Sequence, residues 1–369
     1  MKRVLCVCRG APGLGRVVPA LALTKTLGTN RHVQATFASY AAGAAYLRAR
    51  GERVIDLGLP AGLFIDSVAP QAIRIQELVE ETDPELVLVD GEFFLPAALA
   101  HLDTKTVYLA NPHDLLGPSN TFRRVNRLLL SYTDGVIISD VACYSPELFD
   151  DLVPGVPCIR VPAIVKDIAH PGSTRTGRIR VLVSTGGGSL GAHPDFRRAT
   201  DAAFAKVLEI LEALVGTGAI GAVTVVLGAD ATLPPRASQW LTMINRPVEL
   251  TELYPAHDIV VARAGRNATA EAQYSGITTI LLPIAADPHR GSEQLSNATQ
   301  VQAPHIRSIA DWDDPRAIEQ ALRWAVAHSE TGSRPSAGLR GNDAAAHFLA
   351  GVVAASHDPQ TLLHLQLRG

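Results

Sequence analysis

A segment in the second half of the chain combines an arginine, a glycine, a threonine and a glutamate where a predicted strand meets a predicted helix. The strand predicted over Asp258–Ala262 is followed by Arg263 and Gly265, which lead into the helix. Thr269 then lies in the first helical turn, where free backbone N–H groups and the helix dipole bind anions. Glu271 follows, and its two carboxylate oxygens can accept two sugar hydroxyls. The pattern therefore predicts a site for an anion next to a sugar.

Two further patterns in the same half are compatible with that chemistry. Glu293 and Gln294 stand side by side where a helix opens after the predicted strand Thr279–Pro283. An acid beside an amide suits the several hydroxyls of a sugar ring. Thr185–Gly191 is a glycine-rich turn after another strand. Its backbone could pack against a phosphate or the facing domain, and a plain tight turn is an equally good interpretation.

A first glycine-rich loop, Gly10–Gly15, follows the first predicted strand and opens a helix, so its backbone could also approach a ligand. Dinucleotide-binding folds have G-x-G-x-x-G there and an acidic residue after the second strand. This loop reads G-x-x-G-x-G, and no acidic residue lies between His32 and Gly51. No Gly-Lys-Ser/Thr follows, so the loop matches neither an NAD site nor a P-loop.

Short apolar runs alternate with amphipathic stretches along the chain, which predicts parallel sheets with helices on both faces. Strands are predicted at Val4–Val7, His32–Ala38, Arg53–Leu57, Leu86–Asp90, Thr106–Leu109, Gly135–Ser139, Ile179–Ser184, Val223–Leu227, Val248–Leu250, Asp258–Ala262 and Thr279–Pro283. Helices are predicted at Val18–Leu27, Ala41–Arg50, Gln71–Glu81, Pro96–Leu102, Phe122–Ser131, Asp195–Val215, Asn267–Ser275, Gly291–Gln302, Pro315–Ser329 and Ala344–Ser356. A turn-rich stretch over residues 150–178 interrupts the alternation, and we predict the domain boundary there.

Composition limits the classes of protein that fit. The chain has 369 residues, which suggests two domains. The 33 basic and 36 acidic residues give a net charge of −3, which argues against nucleic-acid binding. No apolar run reaches the ~18–20 residues of a transmembrane helix, and the short apolar start fits a buried strand better than a signal peptide. We therefore expect a cytoplasmic protein. The four cysteines show no zinc spacing, and we expect no metal.

Four motifs together resemble those of a known family. They are Leu14–Ala22, similar to Gly-Gly-His-Val-Phe-Pro-Ala-Leu-Ala; Gly187–Ala192, similar to Gly-Gly-Ser-x-Gly-Ala; Arg263–Glu271, similar to Arg-Ser/Ala-Gly…Thr…Glu; and Glu293–Ala298, similar to Gln-Gln or Asp-Gln followed by Asn-Ala. The family is that of the inverting, nucleotide-sugar-dependent GT-B glycosyltransferases. The resemblance covers most of the chain and is to the lipid-II N-acetylglucosaminyltransferase-like enzymes and related natural-product glycosyltransferases.

The resemblance implies an architecture. Two Rossmann-like, doubly wound parallel-sheet domains of the α/β class would face each other across a cleft. Residues 1–165 would bind the acceptor and residues 166–343 the nucleotide sugar, while residues 344–369 would form a helix that crosses back to the N-terminal domain. No metal is implied, and no cofactor beyond the nucleotide sugar as co-substrate.

The resemblance also implies roles for individual residues. Glu271 would hold the ribose, the start of its helix would cradle the diphosphate, and Glu293 with Gln294 would contact the donor sugar. The full donor set is Gly188, Ser189, Leu250, Thr251, Arg263, Gly265, Asn267, Ala268, Thr269, Glu271, Glu293 and Gln294. Leu250 and Thr251 belong to a stretch that would contact the nucleobase through its backbone. Gly13, Leu14 and Gly15 would form the loop on the acceptor side.

One position departs from the family. Arg16 stands where these enzymes usually have a histidine or aspartate that acts as general base, and arginine stays protonated. Three hypotheses follow. In the first, the base has moved, with His113 as first and Asp90 as second candidate, since both lie near the ends of strands. In the second, the acceptor is a thiol or carboxylate whose charge Arg16 binds. In the third, the protein is a degenerate, non-catalytic member.

The resulting functional prediction is an inverting, metal-independent glycosyltransferase that moves a sugar from a nucleotide sugar to a small soluble acceptor in natural-product biosynthesis. The alternatives are a nucleotide-sugar hydrolase or epimerase of the same fold, and a non-catalytic auxiliary homologue. Arg123, Arg124 and Arg127 share one predicted helix, which leaves weak peripheral association with a phospholipid surface open. The identity of the nucleobase, the sugar and the acceptor, and the oligomeric state, cannot be read from the residues.

Overall fold

The computed structural model describes residues 3–11, 13–31, 33–59, 68–116, 119–141, 153–168, 177–186, 194–228, 231–233, 238–245, 248–286, 288–301, 303–329 and 340–355. The chain divides into two compact units. The first comprises the residues up to Val165 and those from Arg340 onward, and the second is Lys166–Leu339. The change of unit therefore falls within the turn-rich stretch over residues 150–178.

The first unit contains a seven-stranded parallel sheet in the order β3-β2-β1-β4-β5-β6-β7. Its strands are β1 (Arg3–Cys8), β2 (Gln34–Ser39), β3 (Val54–Asp56), β4 (Leu86–Asp90), β5 (Lys105–Ala110), β6 (Gly135–Asp140) and β7 (Cys158–Pro162). The sequence missed β7, because prolines and glycines surround it and a short edge strand tolerates them. The other six were predicted to within about two residues at each end.

Helices cover both faces of this sheet, as a parallel sheet requires. They are α1 (Val17–Arg31), α2 (Ala41–Ala49), α3 (Val68–Thr82), α4 (Leu95–Leu99), α5 (Pro112–Leu116), α6 (Asn120–Leu130) and, from the end of the chain, α12 (Asn342–Ala354). Because side chains alternate along a strand, Cys6 and Cys8 of β1 pack with α1 and α12, whereas Leu5 and Val7 pack with α3 and α4.

The second unit contains a six-stranded parallel sheet in the order β10-β9-β8-β11-β12-β13. Its strands are β8 (Ile179–Ser184), β9 (Ile220–Val226), β10 (Leu241–Ile244), β11 (Ile259–Arg263), β12 (Thr278–Leu282) and β13 (Ile306–Ser308). The strand predicted at Val248–Leu250 was wrong. Leu250 begins a short helix, and β10 lies upstream, because a three-residue apolar run does not by itself distinguish the two structures.

The helices of the second unit are α7 (Pro194–Gly216), α8 (Leu250–Leu253), α9 (Arg266–Ser275), α10 (Pro288–Gln300) and α11 (Pro315–His328). The long helix α7 and α11 cover one face of the sheet, where Val181 and Val183 of β8 are fully buried. Leu182, which points to the other face, packs with Tyr254 and Ala262.

Helix α12 joins the first unit through one fully buried amide. The Asn342 Oδ1 accepts from the Val165 N–H at 3.0 Å, and its Nδ2 donates to the Val165 carbonyl at 2.9 Å and to Thr26 Oγ1 at 3.2 Å. Gly341, just before the helix, lies so close to the Pro162 carbonyl that a Cβ would clash with it. A helix at the end of the chain is thereby held against both β7 and α1.

Replacing this amide should be costly. Asn342→Ala leaves both polar groups of Val165 without their partner in a dry site, so we expect the free energy of unfolding to fall by about 2–4 kcal/mol. The exposed His347 of the same helix is the matched control, and His347→Ala should stay within about 0.5 kcal/mol of wild type. Urea denaturation measures both. Equal effects of the two substitutions would contradict the role assigned to Asn342.

Candidate functional site

In each sheet the order of strands reverses once, between two central neighbours. The reversal lies between β1 and β4 in the first unit and between β8 and β11 in the second. In open parallel sheets, ligands bind beyond the carboxyl ends of the strands at such a reversal, because the following loops diverge there and leave a crevice. Each unit therefore has one topologically favoured site.

At the reversal of the first unit, Arg16 is held by two aspartates. Its guanidinium contacts both carboxylate oxygens of Asp114 at 2.5 Å, and its Nη1 lies 3.1 Å from Asp90 Oδ1. The side chain of Arg16 is 15% exposed, and that of Asp90 is fully buried. Burial acts to lower the pKa of Arg16, but the charge and hydrogen bonds of Asp114, and the charge of Asp90, outweigh it and raise this pKa well above its usual range.

The geometry defines what Arg16 can do. One cation faces two carboxylates, so the cluster carries a formal charge of −1 rather than +1. Arg16 cannot accept a proton. Its two terminal nitrogens already donate to the two carboxylate oxygens of Asp114, in the paired geometry that guanidinium groups favour. Asp90 and Asp114 are likewise engaged with Arg16.

Asp114 is positioned by the turn after β5. Its Oδ2 accepts from the Asn111 backbone N–H at 3.0 Å, and its carbonyl accepts from the Asn126 amide at 2.6 Å. The neighbouring His113 is half-buried in α5, and its backbone N–H lies 3.3 Å from Asn111 Oδ1. The sequence analysis named His113 and Asp90 as candidates and did not single out Asp114. Arg16 gives a signal for Asp114, because a buried cation in the loop after β1 requires a carboxylate from the end of a neighbouring strand.

The loop before α1 divides into a packed part and an open part. Gly10 lies directly against the backbone of Tyr40, where a Cβ would clash, so this glycine serves the packing of α2. Gly13, Leu14 and Gly15 are half-buried, and a Cβ on Gly15 would meet no atom within 4 Å. The predicted acceptor-side loop is thus the part that remains accessible among the described residues.

At the reversal of the second unit, Arg263 ends β11 and reaches across to the loop after β8. Its guanidinium lies 5.3 Å from the ring centre of Phe196 and against Gly186. Gly186 has φ +96°, and a Cβ there would clash with the guanidinium. The predicted Gly188 and Ser189 follow directly but lie outside the described residues.

Helix α9 begins beside Arg263, with Gly265 as its N-cap residue. Asn267 and Ala268 are half-buried in the first turn. Thr269 is fully buried, and its Oγ1 has no hydrogen-bond partner among the described residues. A buried hydroxyl in this condition is unusual and is explained when a ligand or water completes it.

Glu271 lies two residues after Thr269 in α9 and is 4% exposed. Its Oε2 accepts from the Tyr254 hydroxyl at 2.9 Å, and its Oε1 lies 3.3 Å from Lys166 Nζ. Lys166 also forms an ion pair with Glu249. Burial, followed by the charge and hydrogen bond of Glu271, raises the pKa of Tyr254, so the phenol is the donor. The sequence did not indicate these three partners, because they come from separate elements.

The predicted sugar-contacting residues of α10 differ in their environments. Gln294 is buried, and its Oε1 accepts from the Ile284 backbone N–H at 3.3 Å, whereas Glu293 is half-buried. Asn297 is buried and donates to the Ala264 carbonyl at 3.1 Å. Gln294 and Asn297 therefore hold the loops that follow β12 and β11.

Leu250 and Thr251 form the first turn of α8, with Thr251 buried and Leu250 half-buried. Among the described residues, no group of three or more histidines, cysteines, aspartates or glutamates is placed to hold a metal ion. No helix within the described ranges is long and apolar enough to cross a membrane.

Comparison with known proteins identifies the fold. A rhamnosyltransferase, SpnG, solved with spinosyn aglycone matches over 96% of both chains with 17% identity and a TM-score of 0.62. A Listeria monocytogenes protein that carries the provisional name UDP-N-acetylglucosamine 2-epimerase also matches. The match covers 97% of this chain and 98% of that protein's chain, with 15% identity and a TM-score of 0.61. The chain has the GT-B fold. The α/β fold class of GT-B type expected from the sequence motifs is therefore confirmed.

The match found by sequence comparison covers a smaller part of the chain than the structural matches do. The chain is 33% identical over 110 residues to the UDP-N-acetylglucosamine--N-acetylmuramyl-(pentapeptide) pyrophosphoryl-undecaprenol N-acetylglucosamine transferase of Corynebacterium efficiens. This match covers 29% of the chain and 30% of that protein. No family model matches.

The cluster around Arg16 predicts a pH-dependent variant. Arg16→Met leaves Asp90 and Asp114 facing each other without a cation, which should cost about 3–5 kcal/mol of unfolding free energy at neutral pH. The pair then takes up a proton in the folded state, so its pKa rises above the unfolded value. Stability should therefore be regained as the pH falls and lost as the pH rises.

Arg48→Met is the matched control, because Arg48 pairs with Asp56 at the surface, where such pairs contribute at most about 1 kcal/mol. Chemical denaturation at neutral and mildly acidic pH gives both quantities. A pH-independent loss for Arg16→Met, no greater than that of the control, would show that the buried pairing is unimportant.

Proposed function

We propose that this protein is a glycosyltransferase that moves a sugar from a nucleoside-diphosphate sugar to a small acceptor, with inversion and without a metal ion. The observation that carries the proposal is the arrangement at the start of α9. A buried hydroxyl that has no partner among the described residues lies at the strand reversal of a GT-B domain, together with a helix N-terminus, an arginine and a fixed carboxylate.

The first part of the argument concerns the diphosphate. The N–H groups of the first turn of α9 and its dipole attract an anion, and Arg263 adds a positive charge beside them. A phosphate oxygen accepting from Thr269 would give that hydroxyl the partner it lacks among the described residues. These groups can stabilise the negative charge of a leaving diphosphate, which is why the proposed reaction needs no metal.

The second part concerns the ribose. A carboxylate has about four positions for accepting hydrogen bonds. Tyr254 and Lys166 contact one oxygen each of Glu271, and the remaining positions suit two ribose hydroxyls. The two contacts also hold the carboxylate in one orientation, so that little freedom is lost when the ligand binds.

The relatives support the chemical class. SpnG has also been solved in complex with thymidine diphosphate, and the Corynebacterium relative is named for transfer from UDP-N-acetylglucosamine. We extend the use of such a donor to this chain, with an aglycone-like acceptor of natural-product biosynthesis. Since nucleotide sugars are products of intracellular metabolism, the proposal places the reaction in the cytoplasm.

The state of Arg16 bears on the three hypotheses for its position. Two aspartates already compensate its charge, so recruitment of an anionic acceptor by Arg16 is disfavoured. A base elsewhere in the first unit is the hypothesis we adopt. A non-catalytic homologue would bind nucleotide without turnover.

A second candidate function is supported by the epimerase neighbour, whose TM-score is similar to that of SpnG. An epimerase or hydrolase would act on the nucleotide sugar alone. Conversion of the donor, or release of free sugar, in the absence of any acceptor would favour it over transfer.

The donor site is tested by thermal stabilisation with UDP, TDP, GDP and ADP. A nucleotide at 100 times its Kd should stabilise the protein by about 2.7 kcal/mol, which corresponds to roughly 5–10 °C. We expect one nucleotide to stand out and Glu271→Ala to abolish its effect. Glu319→Ala, at an exposed ion pair on α11, is the control and should keep the full shift.

Thr269→Val gives a sharper test, because the two side chains have the same shape. The hydroxyl has no partner among the described residues, so its removal should not lower the stability of the unliganded protein. The nucleotide shift should nevertheless shrink, by the equivalent of about 1 kcal/mol of binding. If all four nucleotides fail to stabilise the wild type at millimolar concentration, the proposed donor site is wrong.

A further inference from the structure

Glu92 occupies a special place in the first unit. It lies two residues beyond the end of β4, at the strand reversal, on the turn that contacts the Arg16 loop. Gly91 makes this contact possible, since it has φ +89° and its Cβ position lies 3.0 Å from Arg9 Cβ and 3.1 Å from Arg16 Cγ. Arg9 also donates a hydrogen bond to the Gly91 carbonyl. The turn that carries Glu92 is thus fixed against the loop predicted to face the acceptor.

The groups around Glu92 come from three parts of the first unit. The Tyr40 hydroxyl, just before α2, donates to Glu92 Oε1 at 3.1 Å. Gln71 of α3, and the charges of Arg9 and Arg16 in the loop after β1, act to lower the pKa of Glu92. Glu92 as a residue is nevertheless only half-buried.

The other acidic groups at this strand edge are committed elsewhere. Asp90 is fully buried, Asp114 is nearly so, and both contact the Arg16 guanidinium. Proton transfer from a substrate needs a carboxylate that the substrate can touch. Among these three carboxylates, only Glu92 combines partial exposure with no ion pair to Arg16 at hydrogen-bond distance.

We propose that Glu92 is the general base that activates the acceptor, with Tyr40 as its positioning residue. This inference rests on the proposed glycosyl transfer and on acceptor binding at the first unit. In the step, a Glu92 oxygen removes the proton of the acceptor hydroxyl as the acceptor oxygen forms a bond to the anomeric carbon. The bond from that carbon to the diphosphate oxygen breaks, and its electron pair leaves with the nucleoside diphosphate. The proton remains on Glu92 until water removes it.

The environment suits this role. Burial raises the pKa of Glu92, and the charge of Arg9, the hydrogen bond from Tyr40, the Gln71 side chain and the charge of Arg16 oppose the rise without cancelling it. A carboxylate whose pKa is raised is a stronger base in its ionised form.

The same charges indicate the acceptor class. Two arginines, Arg9 and Arg16, face three carboxylates at this edge, so the formal charge of the group is −1. An anionic acceptor would meet repulsion there, whereas a neutral alcohol or phenol has the proton that Glu92 can take. We therefore infer a neutral hydroxyl acceptor, not a carboxylate or a thiolate.

The test measures nucleoside diphosphate release from the sugar conjugate of the nucleotide that stabilises the protein. Water, phenol and a nitrophenol serve as acceptors, and wild type, Glu92→Gln and His113→Gln are compared. With phenol, Glu92→Gln should lower kcat by about 10²–10⁴-fold, while the KM for the donor and the nucleotide-induced thermal shift stay unchanged. The loss should be much smaller with the nitrophenol, because this acceptor ionises without help.

Tyr40→Phe gives a readout that a structural role would not move. The Tyr40 hydroxyl stabilises the charged form of Glu92, so its removal should raise the pKa of Glu92 further. Activity requires the ionised carboxylate and falls as the pH drops through this pKa. The acidic limb of the kcat profile should therefore move to higher pH in Tyr40→Phe and be absent in Glu92→Gln.

Each outcome is decisive. If Glu92→Gln keeps most of the wild-type kcat with phenol, or if His113→Gln alone removes the acidic limb, the base is not Glu92. If the nucleotide stabilises the wild type but no acceptor leads to release of the nucleoside diphosphate, the inference on Glu92 fails. Binding of the donor nucleotide is then still supported. If no nucleotide binds, the proposed function itself fails.

Discussion

The arrangement of both candidate sites depends on the reversal of strand order in each parallel sheet. All strands of such a sheet end at the same edge, and the loops after the two central strands diverge. In the first unit this edge receives Arg16 and the end of β4. In the second it receives Arg263 and the start of α9. Residues about seventy to ninety positions apart thus come into contact, as Arg16 does with Asp90.

Charge balance then distinguishes the two edges. In the first unit, one buried arginine is shared by two aspartates, so this cluster has an excess negative charge. Glu92 lies beside the cluster. In the second unit, the helix start and Arg263 provide positive potential for phosphates. Under the proposed function, the first edge would remove the proton of the acceptor and the second would hold the leaving diphosphate.

Two buried polar contacts connect chain topology to these sites. Asn342 ties α12 to the end of the first unit, at Val165. The next residue, Lys166, forms ion pairs with Glu249 and Glu271 of the second unit. The second unit therefore begins at a lysine that contacts Glu271, the carboxylate proposed to bind ribose. Lys166 offsets part of the negative charge of Glu249 and Glu271, which lowers the cost of burying Glu271.

The sequence by itself determined the fold class and most elements, since strand and helix periodicities and glycine-rich turns are local properties. It also located the α9 segment, because Gly265, Thr269 and Glu271 are close in the chain. Only the tertiary structure decided which partners surround these residues. Asp114, Lys166 and Tyr254 arrive from distant elements, and Gly10 proved to serve the packing against Tyr40. Burial and pairing of charges depend on contacts between strands remote in sequence, and no local pattern records them.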